Sequence, residues 1–135
     1  MPREEILRAE RWLRGNLLAK ELLKRSHIKE ETLKAMLMHS WRVDATFEQI
    51  AKRLGIEQPG AWKRWQRGRD AIMSSFYTIE LALYAGVLEA DIAEIMIDDL
   101  LDYKSLSKGE GNVDEIRDRI ERRMVQLAKR APRKK

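Results

Sequence analysis

Cysteine is absent from this chain of 135 residues, and proline is nearly so. Without cysteine there are no disulfides and no thiolate metal sites, so the expected setting is intracellular, cytoplasmic or nucleoid-associated. The three prolines, at positions 2, 59 and 132, interrupt no periodic segment. No run approaches the roughly 18 apolar residues of a membrane span. Charges break up the N-terminal residues every few positions, unlike a secretory leader, and no membrane partner is expected. Sustained two-residue alternation, the mark of strands, is also missing. What remains is helical periodicity in a chain that is 44% hydrophobic and 36% charged. The expected fold class is therefore all-α, a bundle of about six or seven helices with a core and a heavily solvated surface.

The residues of catalysis are missing as well. No nucleophile stands at interpretable spacing from a base, no glycine loop would cradle a phosphate, and no paired-carboxylate signature occurs. His27 and His39 lack the cysteine or carboxylate spacing of a zinc site. Asp98, Asp99 and Asp102 share one helix without a glycine-bearing loop between them, which reads as a solvated acidic face. Neither an enzyme nor a cofactor or metal site is expected.

Charge is unevenly distributed. Residues 1–75 hold 16 basic and 10 acidic side chains, residues 76–112 hold 2 and 8, and residues 113–135 hold 9 and 4, within a net charge of +5. Two cationic regions flank an acidic one, the footprint of a polyanion binder whose middle turns away from phosphate or meets a protein partner.

Along the chain, a first helix is expected from about Pro2 to Arg25. Its stripe is Ile6, Ala9, Leu13 and Leu17, widened by Leu18 and Leu22, with Gly15 inside. A break at Ser26 to Ile28 precedes a helix to about Arg42 that buries Leu33, Met36, Leu37 and Trp41. Trp12 is also expected in a core or an interface. From about Asp70 to Ala85 a helix is apolar nearly all round, suited to the core or to a dimer contact. Gly86 ends it, and another helix runs to about Tyr103. The connector SLSKGEGN spans 105–112. A basic amphipathic helix over 113–130 follows, with Asn112 as N-cap paired with Glu115 and a stripe of Val113, Ile116, Ile120, Met124 and Leu127. A disordered basic tail covers 131–135. The expected division is thus a helical domain over 1–104, the connector, the C-terminal helix and the tail.

Residues 46–69, TFEQIAKRLGIEQPGAWKRWQRGR, concentrate the functional signals. Thr46 is a good N-cap and Gln49 can close a capping box. Ile50 and Leu54 share a face beside small Ala51, Gly55 suits a left-handed helix exit, and Ile56 buries the turn. A second short helix then carries Lys63, Arg64, Arg67 and Arg69. EQIAKRLGI resembles the first helix and turn of the helix-turn-helix of phage repressor and Cro type regulators, and WQRG is similar to the W-x-x-G that often ends their second helix. The likeness covers residues 46–68 only. Counted from Gly55, the second helix's apolar anchors fall on Ala61 and Arg64. A turn one residue longer, through Gln58-Pro59-Gly60, puts Trp62 and Trp65 there instead, with Pro59 opening the helix.

The resemblance implies a DNA-binding protein, a transcriptional regulator or a genome-maintenance factor, whose helix 58–67 reads the major groove of double-stranded DNA. Gln58, Lys63, Arg64, Arg67 and Arg69 are its candidate contacts, with Lys52 and Arg53 holding phosphate. Arg122, Arg123, Lys129 and Arg130 in the C-terminal helix, and Arg117, Arg119, Arg133, Lys134 and Lys135 around them, are candidates for a second phosphate contact. Such proteins often bind as homodimers, and the helix from Asp70 to Ala85 and the terminal helix are candidate dimer surfaces. Two alternatives stand beside this reading. One is an RNA or ribonucleoprotein binder that stacks Trp62 or Trp65 on a base. The other is a helical adaptor that meets a protein partner through the acidic helix 89–102. Finally, Leu81, Ala82, Ala85, Gly86 and Val87 echo Ile50, Ala51, Leu54, Gly55 and Ile56, either as a second copy of the motif with an acidic face or as an ordinary helical hairpin.

Overall fold

A computed structural model describes residues 2–41 and 46–129, with only the main chain of residues 2–6. Among the described residues the fold is all-α: α1 (Pro2–Gly15), α2 (Leu17–Arg25), α3 (Glu30–Ser40), α4 (Phe47–Leu54), α5 (Gln58–Tyr84), α6 (Ala90–Lys108) and α7 (Val113–Lys129). No described helix is long and apolar enough to cross a membrane. The chain forms two compact units, Met1–Tyr77 and Thr78–Lys135, and within the second α6 packs against α7. Ile6, Arg42, Arg130 and the 131–135 tail, with Arg133, Lys134 and Lys135, lie outside what is described.

Local chemistry explains where the helices begin and end. The single first helix expected to reach Arg25 is two helices. Asn16 leaves helical geometry and its side chain accepts a hydrogen bond from the Ala19 N–H at 2.9 Å, capping α2. An asparagine after a glycine stabilises a new start more than it stabilises a continuous helix. Leu17, expected in the stripe, is consequently exposed. The expected break after Arg25 is present: the Ser26 N–H and hydroxyl both donate to the Leu23 carbonyl.

In the unit Met1–Tyr77, Ala9 and Leu13 of α1, Ala35 and Met38 of α3, Ile50 and Ala51 of α4, and Ala61 of α5 are buried. Leu37, Trp41, Phe47, Leu54 and Ile56 pack around most of them. Four of these seven core residues are alanines, and helices meeting through small residues approach closely. Gly68 continues that logic, since a methyl group built there would overlap Met36 Sδ on α3. This corrects the expectation that Gly68 ends its helix. Its missing side chain makes room for α3, its φ is not positive, and α5 runs on to Tyr84.

In the unit Thr78–Lys135, Ile116 and Ile120 of α7 are the buried apolar residues among those described. Asn112 caps α7 by accepting from the Glu115 N–H at 3.1 Å. α6 extends through Ser105 to Lys108 and ends at left-handed Gly109, so the expected connector shrinks to Gly109–Asn112. Between α6 and α7, Arg119 donates to both carboxylate oxygens of Asp102 at 3.0 and 3.2 Å, while Arg123 reaches Asp102 and, at 3.2 Å, Asp99. The hydrogen bond from Arg119, helped by Arg123, holds the Asp102 carboxyl below its ordinary value although burial opposes this. Burial, with the Asp99 charge adding to it, raises the Tyr103 phenol. The large apolar side chains between Ile72 and Tyr84 are between 40% and 94% exposed.

Candidate nucleic-acid interface

The candidate surface is the first half of α5, held by α4. Thr46 and Gln49 close the capping box at 3.0 and 3.2 Å. Gly55 leaves α4 at φ 71°, and the Ile56 N–H donates to the Ala51 carbonyl at 2.9 Å. The Glu57 carbonyl then accepts from the N–H groups of Gly60 and Ala61, which starts α5. Pro59 sits in that first turn, where its lack of an N–H costs nothing.

Burial sets the orientation of α5. Ala61 is 0% exposed and Trp62 is 48% exposed. The turn is therefore not lengthened by a residue, and Ala61 rather than Trp62 is the anchor, because the close contact with α3 and α4 admits a methyl and not an indole. Trp65, expected beside it, is half-buried against His39 and Phe47, with ring centroids 5.2 and 5.9 Å away. His39 itself stacks on Phe47 at 4.9 Å. Trp12 and Trp41 meet edge to face at 5.3 Å, with the Arg8 guanidinium over Trp41.

At about 100° per residue, burial of Ala61 and Gly68 turns Lys63, Gln66, Asp70 and, at the edges, Trp62 and Arg67 outward. Lys63 and Arg67 are exposed and Arg64 is half-buried at the flank. Among the described residues, none of these three cations has a carboxylate at ion-pair distance. Gln66 donates instead to Asp70 at 3.0 Å. Arg69 lies over the Trp65 ring at 5.8 Å, and Gln58 is exposed in the first turn.

The other expected contacts are differently placed. Lys52 is exposed beside Glu48 at 3.8 Å. Arg53 forms a two-pronged pair with Glu10 of α1, at 2.7 and 3.2 Å, and that hydrogen bonding raises its pKa further. In the second unit Arg122 and Lys129 are exposed, whereas Arg123 is mostly covered and bound to Asp99 and Asp102. The structure thus puts Lys63, Arg64 and Arg67 on one helix without ion-pair partners among the described residues, and gives Arg53, Arg119 and Arg123 internal partners. Nothing local announced Glu10, 43 residues from Arg53. The α6–α7 pairs had a readable signal, Asp99 and Asp102 at i, i+3 facing Arg119 and Arg123 at i, i+4.

Compared with known proteins, the chain matches no protein-family model, no curated protein and no solved structure.

Proposed function

We propose that the chain is a DNA-binding protein, a transcriptional regulator or genome-maintenance factor, in which Thr46–Gly68 acts as a helix-turn-helix and the outward face of α5 enters the major groove. The observation that carries this reading is the trio Lys63, Arg64 and Arg67, which have no carboxylate at ion-pair distance among the described residues, whereas Arg53 has one. An arginine with no intramolecular partner keeps its planar donor set for a guanine edge or a phosphate. The buried Ala51 and Ala61, the left-handed Gly55 and the capping box support the same reading. Duplex DNA is favoured over a protein partner at helix 89–102 because Asp99 and Asp102 are already bound to Arg119 and Arg123.

One feature supports a second reading, single-stranded nucleic acid or RNA. Trp62 is a large ring with no aromatic neighbour among the described residues, next to Lys63, where a base can stack. Binding of labelled duplex, single strand and structured RNA at matched salt separates the two. Replacing Lys63, Arg64 and Arg67 by alanine should weaken duplex binding by about 100-fold at low salt and cut the slope of log K against log salt by about 2 to 3. Unchanged affinity and slope would remove the proposal. If the chain binds single strands or RNA more tightly than duplex and Trp62→Ala abolishes that binding, the second reading replaces the first.

A further inference from the structure

The chain has no cysteine, so its sulfur chemistry lies entirely in six methionines. Those among the described residues differ sharply in setting. Met73 is 40% exposed, Met38 is 0% exposed, and Met36, Met96 and Met124 are half-buried. Met36 is set apart by what faces its sulfur. It stands on α3 where Gly68 of α5 approaches. A methyl group at Gly68 would lie 2.9 Å from Met36 Cε and 3.0 Å from Cγ, and would overlap Sδ. Gly68 is itself buried and has no side chain that could yield. The crossing of α3 and α5 therefore has room for a bare thioether and for nothing larger, while part of Met36 stays open to solvent.

We infer that Met36 is an oxidation site, with hydrogen peroxide as the oxidant, and that its sulfoxide unseats α5 from α3. The peroxide gives one oxygen atom to the thioether. An S–O bond forms as the O–O bond breaks, sulfur loses two electrons, and the rest of the peroxide leaves as water. The product is polar and larger by one oxygen. An oxygen aimed at α5 meets the Gly68 backbone in the space that already refuses a methyl group. An oxygen aimed away draws the flexible side chain toward water, and the contact under Gly68 is emptied. Either way α5 loses its seat. Met73 can carry the same oxygen in solvent without consequence, and Met38 is closed to the oxidant until the core opens. Gly68 directly follows Arg67, so the displacement is felt where α5 carries its cations. The inference concerns the joint itself and does not depend on the chain binding nucleic acid.

Peptide masses of the full-length chain after treatment with hydrogen peroxide should show added oxygen at Met36 and Met73 in the folded state, and at Met38 only after unfolding. The thermal midpoint of the treated chain should fall by about 5 to 10 °C, the response to crowding at a helix crossing in a chain of this size. Met36→Leu, a swap of similar volume, should abolish the fall, and Met73→Leu should leave it in place. Amide exchange from Ala61 to Arg69 should quicken by at least about 10-fold on oxidation. A Met36 that stays unmodified in the folded chain overturns the inference. So does an equal fall in Met36→Leu, or unchanged exchange along that stretch once Met36 is oxidised. If Met36→Leu does not fold, the singly oxidised forms of the wild type decide. Separated by chromatography, the Met36 sulfoxide should melt below the Met73 sulfoxide, and equal midpoints overturn the inference.

Discussion

At Gly55 and at Gly86 the main chain leaves a helix in the same way. The glycines sit at φ 71° and 73°, and the Ile56 N–H donates to the Ala51 carbonyl as the Val87 N–H does to that of Ala82, both at 2.9 Å. The 31-residue echo in the sequence is therefore an echo in backbone geometry. Around the two exits the side chains fare differently. Ile50 and Ala51 are 0% and 3% exposed, whereas Leu81 and Val87 are 66% and 79% exposed. The first exit leads into a helix whose Lys63, Arg64 and Arg67 have no ion pair among the described residues, and the second into α6, whose carboxylates are partly bound to α7. A turn is specified by the residues within it, but burial is specified by what else is near.

The sharpest way to break this contrast is a pair of matched truncations. Ile50→Ala should cost about 3 kcal/mol in denaturant unfolding, because it leaves a cavity in a closed core. Leu81→Ala, at a side chain that is mostly exposed, should stay within about 0.5 kcal/mol. Similar losses at both sites would mean that the second exit is covered after all. Next in size is Gly68→Val, expected to lower stability by about 2 kcal/mol through overpacking against Met36. Combining it with Met36→Ala should recover part of that loss, whereas simple additivity would deny the contact. The glycine turns should then respond alike. Gly55→Ala and Gly86→Ala should each cost about 1 kcal/mol, because the strain belongs to the left-handed backbone whatever the burial around it. The smallest effect concerns acid. Asp102 is held below its ordinary value of 3.8, so its contribution to stability is complete above about pH 4 and is lost as pH falls through its lower folded value. Thermal melts between about pH 2 and 6 should show this loss for the natural chain and less of it for Asp102→Asn.

What could be read in advance was mostly chemistry within a few residues. The Thr46–Gln49 box, the glycine exits at 55 and 86, the Ser26 break and the Asn112 cap are all contacts over five positions or fewer. The misreadings depend on partners distant in sequence. Gly68 looked like a helix end because the approach of Met36, 32 residues earlier, cannot be seen from its neighbours. Trp62 looked like an anchor because size suggests burial, while the space available under α5 admits only Ala61. For the candidate site, Lys63, Arg64 and Arg67 were visible as cations, but which of the described carboxylates they leave alone, and Arg53's capture by Glu10, required the fold. The break at Asn16 was local and still missed, because an apolar stripe running on past it suggested one helix.

The alanines at the heart of the first unit have one more consequence. Ala9, Ala35, Ala51 and Ala61 can shrink only to glycine, which costs a helix about 1 kcal/mol in backbone entropy besides the buried methyl. Each is hemmed in on every side, so a larger side chain at any of them must push whole helices apart. These positions are therefore closed from both sides, to growth by the neighbouring helices and to shrinkage by the helix that carries them.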